Sequence, residues 1–205
     1  MFGLLRILIG VVFGAFSFFL IFKFSKLKFW YWLSIGVIGA VILLITILGF
    51  VPFENLLYSF GSAKEVYEYY YFLEDDPELV VEGNECDFVV GRKNNTSNFL
   101  IVPKNTSGWK IGRGSKIKRI VQKHSNGIIV YVYQYNNSSD YFITILDTNG
   151  GESTVSDQYN TKFFSLERYN DSLGKIFVTY YAHISNLNPQ YSVIVNDNKI
   201  VLGNQ

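Results

Sequence analysis

The stretch IKRIVQKHSNGIIVYVYQY, residues 117–135, decides the fold class of this 205-residue chain. It contains two runs rich in β-branched and aromatic residues, Ile117–Lys123 and Ile128–Tyr135, and such side chains favour strands. Between the runs stands Asn126-Gly127, a pair that accepts the positive φ angles of a tight two-residue turn. The stretch therefore predicts an antiparallel β-hairpin.

The same pattern extends outward from the hairpin in both directions. Turn signals at Asn149-Gly150-Gly151 and Asn196-Asp197-Asn198 separate short apolar runs, and Pro77 and Pro103 lie at run ends, where a missing N–H donor is tolerated. Nine further strands are predicted, at Leu79–Glu82, Asp87–Gly91, Asn98–Pro103, Trp109–Arg113, Tyr141–Leu146, Lys162–Glu167, Lys175–Ile184, Tyr191–Val195 and Lys199–Leu202. Eleven short strands at close spacing predict antiparallel sheets that form a sandwich or a barrel.

A short helix is predicted ahead of the strands, over about residues 62–73. Ser62-Ala63-Lys64-Glu65 has the form of a capping box, in which the serine hydroxyl accepts from the Glu65 N–H and the glutamate carboxylate reaches back. One face of this helix carries apolar and aromatic residues at 3.6-residue spacing, namely Val66, Tyr69, Tyr70 and Leu73. Residues 54–76 are therefore predicted to connect to a mainly β domain at residues 77–205.

The first 53 residues have a different composition. Residues 2–22 are apolar apart from Arg6 and Ser17, and residues 29–53 contain no charged side chain. A bilayer core about 30 Å thick needs roughly 20 apolar helical residues, so both stretches are long enough to span it. The pattern predicts a two-helix transmembrane hairpin with a short loop at residues 23–28.

Three cations in and beside that loop, Lys23, Lys26 and Lys28, indicate its orientation. Because positive charge resists translocation, we expect a cytoplasmic loop, with both termini and the β domain outside the cytoplasmic membrane. The alternative is a cleaved signal peptide with Arg6 as its charged region. Gly14-Ala15-Phe16-Ser17 would be a poor cleavage site, and the uncleaved hairpin is favoured.

Small residues recur at helical spacing within both predicted spans. Gly10 and Gly14 form one such pair, and Gly36 and Ala40 form the other. Small residues at this spacing allow helix backbones to approach closely in lipid. The favoured interpretation is packing of the two helices of one hairpin, and the alternatives are homo-oligomerisation or docking on the helix of a partner.

Composition and motifs exclude several classes of function. Residues 54–205 carry 17 acids and a net charge near −3, so nucleic acid is not an expected partner. The single Cys86 excludes an internal disulfide framework, and a buried free thiol is favoured over pairing with another chain. His124 and His183 stand in no metal-binding or catalytic spacing and are interpreted as structural. No nucleotide-binding or nucleophile motif occurs, so we predict no catalytic residue, no metal and no cofactor.

Two charged segments remain as candidates. Acids crowd Glu65–Asp87, which is interpreted as a solvated acidic face, with an adventitious cation site as the alternative. The segment after Ile111 is basic and contains two glycines whose backbone conformations can turn N–H groups towards an anion. It forms a candidate anion or partner patch of Arg113, Lys116, Lys118, Arg119 and Lys123. The alternative is that these cations neutralise the acidic segment of the same domain.

From Ser62 to Gln205 the chain resembles the extracytoplasmic part of small uncharacterised membrane-anchored proteins of low-GC Gram-positive bacteria. The likeness rests on Ser107-Gly108-Trp109-Lys110-Ile111 and on the closing pair Tyr191–Val195 and Lys199–Leu202. It implies an envelope location and no particular activity, and it assigns no functional residue.

Together these features predict a membrane-anchored envelope protein that works by binding and is not an enzyme. The favoured function is a protein-interaction or accessory module, with a self-protection (immunity) factor as one form of it. Its expected partners are the lipid bilayer and either an envelope protein or a second copy of itself. The alternative is a sensor that binds a small ligand or a cell-wall fragment, and an envelope hydrolase is third.

Overall fold

The computed structural model describes residues 4–24, 33–34, 36–41, 52–71, 76–93, 96–170 and 174–203. Within these ranges the helices are α1 (Leu4–Phe24), α2 (Glu54–Leu57) and α3 (Ala63–Tyr70). Residues 33–34 and 36–41 are also helical, and a single 3-10 turn covers Gly114–Lys116. Most of the remaining regular structure is β, which confirms the prediction of a mainly β chain with a short helix.

Twelve strands are described, and every pairing between them is antiparallel. In chain order they are β1 (Asp76–Glu82), β2 (Cys86–Lys93), β3 (Thr96–Asn105), β4 (Gly108–Trp109), β5 (Ile117–Ser125), β6 (Ile128–Tyr135), β7 (Tyr141–Asp147), β8 (Val155–Asp157), β9 (Phe164–Asn170), β10 (Lys175–Ile184), β11 (Ser192–Val195) and β12 (Asn198–Val201).

The strands form three sheets. The helix-side sheet has the order β1-β2-β3-β4, the central sheet β5-β6-β7-β10-β9, and the far sheet β12-β11-β8. Buried side chains from neighbouring sheets share common clusters, so the sheets are stacked as an extended sandwich. For the described strands, this arrangement supports the sandwich-like alternative of the prediction.

Three cores separate the layers. The outer core lies between α3 and the helix-side sheet and includes Val66, Tyr67, Val89 and Leu100. The aromatic core lies between the helix-side and central sheets and contains Phe88, Phe142, Tyr181, Phe99, Tyr133, Tyr135 and Phe164 among its members. The aliphatic core lies between the central and far sheets and contains Val130, Val132, Ile143, Ile145, Val178, Val193, Val195 and Ile200 among its members.

The 117–135 stretch forms the predicted hairpin of β5 and β6. Ser125 pairs with Ile128 at its tip, and Asn126 and Gly127 have φ angles of 49° and 76°. Positive φ at both turn positions is the conformation that matches strand twist in a two-residue hairpin. The β11–β12 hairpin repeats this solution with Asn196 and Asp197, at φ 48° and 64°.

Helix α3 begins at the predicted capping box. The Ser62 hydroxyl accepts from the Glu65 N–H at 3.2 Å, while the Glu65 carboxylate accepts from the N–H of Gly61, one residue earlier than predicted. Tyr67, omitted from the predicted face, is fully buried beside Val66, because positions i+3 and i+4 from Ala63 face the helix-side sheet together. Leu73 lies outside the described residues.

Several predicted strand ends are shifted by one to three residues, and two strands differ more from the prediction. The predicted Trp109–Arg113 strand is reduced to Gly108–Trp109, because the backbone N–H and C=O of Ile111 bond the side chain of Asn55. Strand β8 was not predicted, since Val155 is its only apolar residue and it exists through pairing with β11.

No helix among the residues that the structure describes is long and apolar enough to cross a membrane. The predicted transmembrane hairpin is therefore not found there. Its first span, residues 2–22, overlaps α1, which exposes apolar side chains along its length. Most of its second span, residues 29–53, lies outside the described residues, as does most of the predicted loop 23–28.

Candidate functional site

A buried carboxylate, Asp140, organises one end of the central sheet. It immediately precedes β7, and its side chain is fully shielded from solvent. The backbone N–H groups of Asn84, Glu85 and Cys86 donate to this carboxylate at 2.9, 2.6 and 2.8 Å. These donors lie where β1 turns into β2, so one carboxylate ties the helix-side sheet to the central sheet.

His183 completes the cluster from β10. Its Nε2 lies 2.8 Å from Asp140 Oδ1, and its ring packs on Phe142 with 5.5 Å between ring centroids. His183 stands opposite Phe142 in the β7–β10 register, which brings the imidazole to the end of β7. The sequence gives no sign of this pair, because the two residues are 43 positions apart and no motif links them.

The charge of Asp140 is set by its hydrogen bonds. Burial alone would raise the pKa of this carboxyl. The bonds from three backbone N–H groups and from His183 outweigh burial and hold the pKa below its ordinary value of 3.8. Asp140 is therefore ionised at neutral pH. A neutral His183 donates its Nε2 hydrogen to the carboxylate, and a protonated His183 forms an ion pair with it.

Cys86, beside this cluster, is not a nucleophile at neutral pH. Its side chain is buried, and burial raises the pKa of the thiol to about 12 despite an opposing hydrogen bond with Ser138. Because the thiolate is the reactive form, a thiol with this pKa is inert at neutral pH. The prediction of a buried free cysteine is confirmed.

Two clefts reach the cluster. The larger, of about 600 Å³, touches Cys86 and Ser138 and is otherwise lined by Asn84, Glu85, Pro103, Lys104, Asn105, Thr106, Tyr135, Asn136 and Asn137. The smaller, of about 350 Å³, is lined by His183 together with Tyr159, Thr161, Ile184, Ser185, Asn186, Asn188 and Tyr191. The smaller cleft combines aromatic, amide and imidazole groups, and such mixed linings are typical of small-ligand sites.

A second buried carboxylate, Asp157, makes one wall of the smaller cleft rigid. Its oxygens accept from the hydroxyls of Tyr191 at 2.6 Å and Thr161 at 2.5 Å, and from the backbone N–H of Tyr159 at 3.0 Å. Burial alone would raise its pKa, but these bonds hold the pKa below the ordinary value. Asn188 donates to the Tyr159 hydroxyl at 2.6 Å.

The tyrosine rings of this wall are stacked. Tyr159 lies on Tyr191 with ring centroids 5.9 Å apart and 16° between the planes. Tyr191 is fully buried, whereas 57% of Tyr159 is exposed. A fixed, exposed aromatic face beside amide donors and acceptors can hold a ligand that has one apolar face and polar edges.

His183 has few described polar contacts. Its Nε2 is hydrogen-bonded to Asp140, and the residue lines the smaller cleft. No described serine, threonine or cysteine side chain is hydrogen-bonded to His183. The described residues also contain no group of three or more His, Cys, Asp or Glu side chains placed to hold a metal ion.

The predicted basic patch lies along an edge of the central sheet. Arg113 precedes the 3-10 turn and Lys116 ends it, while Lys118, Arg119 and Lys123 lie on edge strand β5, and all five are exposed. The register of β5 shifts between Arg119 and Val121. Charges and a bulge on an exposed edge discourage pairing with another strand, which gives this run a structural reason beside the predicted one.

None of the five cations forms an ion pair within the described part of the chain. Arg119 lies over the ring of Tyr131 at 5.6 Å, and Lys118 donates to Asn137 at 3.2 Å. In the acidic segment, Glu78 pairs with Arg92 at 3.4 Å and Asp87 with Lys104 at 2.8 Å. Neutralisation of that segment by the patch is therefore not seen, and binding of an anion or a partner stays a prediction.

The small residues predicted to pack helices have open surroundings. A methyl group added at Gly10, Gly14 or Gly36 would meet no described atom within 4 Å, and Ala40 is exposed. Their role in helix packing stays a prediction.

Scans against protein-family models, curated proteins and solved structures return no match to this chain. The resemblance to membrane-anchored envelope proteins therefore stays a prediction.

Proposed function

We propose that this chain is a membrane-anchored envelope protein whose β domain acts outside the cytoplasmic membrane by binding and without catalysis. The favoured form is a protein-interaction or accessory module, which includes a self-protection (immunity) factor. The predicted two-span hairpin of residues 1–53 is the anchor, and the lysines around residues 23–28 keep its loop in the cytoplasm.

The observation that carries the anchor is the exposed apolar surface of α1. Eight of its large side chains have between 46% and 77% of their surface exposed, namely Leu8, Val11, Val12, Phe13, Phe16, Phe18, Phe19 and Phe22. Such a continuous apolar surface is rare on soluble monomers and favours burial in lipid or against another protein. Residues 29–53, which contain no charged side chain, supply the return span.

Binding without catalysis is supported by the state of the buried acids. Asp140 accepts four hydrogen bonds, Asp157 also accepts four, and Asp87 pairs with Lys104. The hydrogen bonds to Asp140 and Asp157 hold the pKa of each carboxyl below its ordinary value, which suits structural crosslinks better than proton transfer.

Topology can be tested with a cysteine at an exposed turn. Asn137→Cys in a Cys86→Ala background should react with a membrane-impermeant maleimide in intact cells, since Asn137 is exposed on the β domain. The Cys86→Ala chain alone is the control. Reaction only after lysis would contradict the external location. Release of the protein by alkaline carbonate would contradict the anchor.

The interaction role can be tested by covalent capture of neighbours in living cells. The tagged full-length protein should recover a specific envelope protein or a second copy of itself, whereas the hairpin-only control should not. Equal recovery by both would assign the interaction to the membrane segment and contradict a binding role for the β domain.

A small-ligand sensor is the second candidate, and the cleft beside His183 favours it. Tyr159→Ala should then weaken binding of a cell-wall fragment at least tenfold in titration calorimetry, because the exposed ring forms the cleft wall. Tyr58→Ala, which removes an exposed tyrosine outside the cleft, is the matched control. An equal effect of both variants would exclude the cleft. An envelope hydrolase stays third, since His183 of the Asp140–His183 pair lines the cleft but no described serine, threonine or cysteine side chain is hydrogen-bonded to it.

A further inference from the structure

We propose that the β domain docks on the bilayer surface. Helix α2 inserts at the lipid–water interface, and nearby cations bind anionic lipid headgroups. This inference rests on the proposed membrane anchor and adds a specific surface to it. The docking surface is defined as Leu56, Leu57 and Tyr58 with Arg113 and Lys116.

The surface begins with two leucines that the fold leaves uncovered. Leu56 is 87% exposed and Leu57 is 68% exposed, and Tyr58 beside them is 39% exposed. This small domain buries the side chains of Val66, Tyr67 and Val89 completely. Two adjacent exposed leucines on a helical turn therefore indicate contact with another apolar surface.

The turn that carries the leucines is clamped to the domain. Fully buried Glu54 accepts from the Tyr69 hydroxyl at 3.0 Å. Asn55 donates to the Ile111 C=O at 3.0 Å and accepts from the Ile111 N–H at 2.8 Å. Lys110 Nζ donates to the C=O groups of Asn55 and Tyr58, at 2.9 Å each. The leucines therefore cannot turn away from the surface without breaking these bonds.

The clamp continues into the helix-side sheet. Phe60 and Trp109 exchange two backbone hydrogen bonds of 3.0 and 3.1 Å, and the hydroxyls of Ser59 and Ser107 lie 2.9 Å apart. The segment from residue 54 to residue 60 is thus part of the folded domain, so that whatever holds residue 53 also orients the domain.

The chain position of the leucines favours lipid as the surface that they contact. The uncharged stretch 29–53, proposed as the second span, ends directly before Glu54 and only three residues before Leu56. A helical turn joined so closely to a span cannot lie far from the interface, because each extended residue adds at most about 3.6 Å. Leucine and tyrosine side chains are favourable at this depth.

The cations near the leucines also favour a lipid surface. Arg113 follows Ile111 by two residues, so its backbone lies at most about 7 Å along the chain from the contact with Asn55. The Lys116 N–H bonds the Arg113 C=O at 2.9 Å, which keeps both cations in one turn. Both are exposed and have no acid partner in the described part of the chain, and lipid phosphates would neutralise them.

The test uses the full-length protein in vesicles of phosphatidylcholine and phosphatidylglycerol, in a Cys86→Ala background. An environment-sensitive fluorophore is attached to Leu56→Cys or, as matched control, to Val201→Cys, an exposed apolar position on the far sheet. We expect nitroxide-labelled lipid to quench the label at position 56 and aqueous iodide to quench the label at position 201.

Three outcomes would overturn the docking, and they differ from one another. If iodide quenches the label at position 56 as strongly as the label at position 201, in protein that resists carbonate extraction, the docking proposal is wrong and the anchor proposal stands. If carbonate releases the protein, both proposals are wrong. If position 56 is shielded in native membranes but not in vesicles that contain no other protein, the surface binds a protein partner.

Substitution of the two cations provides an independent test of the docking. Arg113→Glu with Lys116→Glu should raise iodide access at position 56 in vesicles that contain phosphatidylglycerol, since each cation near an anionic surface shifts the docked population about fivefold. Lys199→Glu, at an exposed position on β12 of the far sheet, is the control and should change little. No effect of the double variant, or the same effect in phosphatidylcholine alone, would exclude headgroup pairing.

Discussion

The central sheet packs an aliphatic core against one of its faces and an aromatic core against the other. The aliphatic face is filled by short β-branched side chains such as Val130, Ile143 and Ile145. The aromatic face is built around Phe88, whose ring lies within 6.2 Å of four other aromatic rings, those of Phe99, Tyr133, Phe142 and Tyr181.

Buried polar groups border both cores, and Asp157 accepts from Tyr191 of the aliphatic core. The Asp140–His183 pair stands at the end of the aromatic core, where His183 packs on Phe142. The buried Thr144 hydroxyl, which has no hydrogen-bond partner among the described residues, lies on the same face of β7.

The largest effect is expected where the aromatic core has its hub. Phe88→Ala should lower the free energy of unfolding by about 4 kcal/mol, because it removes a fully buried ring and leaves a cavity between two sheets. The measurement is urea unfolding of the full chain in detergent. Phe99→Ala, which removes a less buried ring, should cost clearly less. Equal losses would mean that no single ring organises this core.

Asp140→Asn should lower the free energy of unfolding by about 3 kcal/mol at neutral pH, since three backbone N–H groups and His183 lose a charged acceptor. Glu152→Gln, at an exposed position, is the control and should have little effect. A loss below that of a conservative core substitution would show that the cluster does not hold the two sheets together.

The same variant carries a pH prediction. The pKa of Asp140 is lower in the folded protein than its ordinary value of 3.8, so its contribution to stability is fully present above that value. The contribution is lost as the pH falls further, towards the folded pKa. Unfolding measured against pH should therefore show a shallower acid decline in Asp140→Asn than in the unsubstituted chain. Parallel declines would contradict the lowered pKa.

In the aliphatic core, Ile145→Val should lower the free energy of unfolding by about 1 kcal/mol, because it removes one methylene from a fully buried site. Val193→Ala on the facing far sheet tests whether that sheet belongs to the same cooperative unit. A Val193→Ala transition that separates from the main unfolding step would show that the far sheet unfolds on its own.

The smallest effect is expected at Thr144. Thr144→Val should leave stability unchanged or raise it by up to about 1 kcal/mol, since it removes a buried hydroxyl without a partner. Thr161→Val is the matched control and should destabilise, because its hydroxyl donates to Asp157 at 2.5 Å. Destabilisation by Thr144→Val would indicate that this hydroxyl is satisfied by water.

Local chemistry explains which elements could be predicted. The β5–β6 hairpin could be predicted from its two β-branched and aromatic runs and from Asn126-Gly127, since few residue pairs accept two positive φ angles. The α3 cap was predicted from Ser62 and Glu65 because a capping box is formed within four residues. Strand β8 was missed because its three residues have no pattern of their own and depend on β11.

The candidate site could not be predicted, because the residues that form it are far apart in the sequence. Asp140 gains its role from donors more than 50 residues earlier in the chain and from a histidine 43 residues later. Only the stacking of the helix-side sheet on the central sheet brings them together. An aspartate before a strand and a lone histidine within one are ordinary features of any β domain.

The sequence by itself determined the mainly β class, most of the strands, the tight turns, the capped helix and the apolar character of residues 1–53. These features depend on neighbours within a few positions, where side-chain branching, backbone φ preference and hydropathy act directly. The tertiary structure alone decided the order of the sheets, the two unlike cores, the pairing of Asp140 with His183 and the clamp that leaves Leu56 exposed. Those depend on contacts between distant residues, and no local preference encodes them.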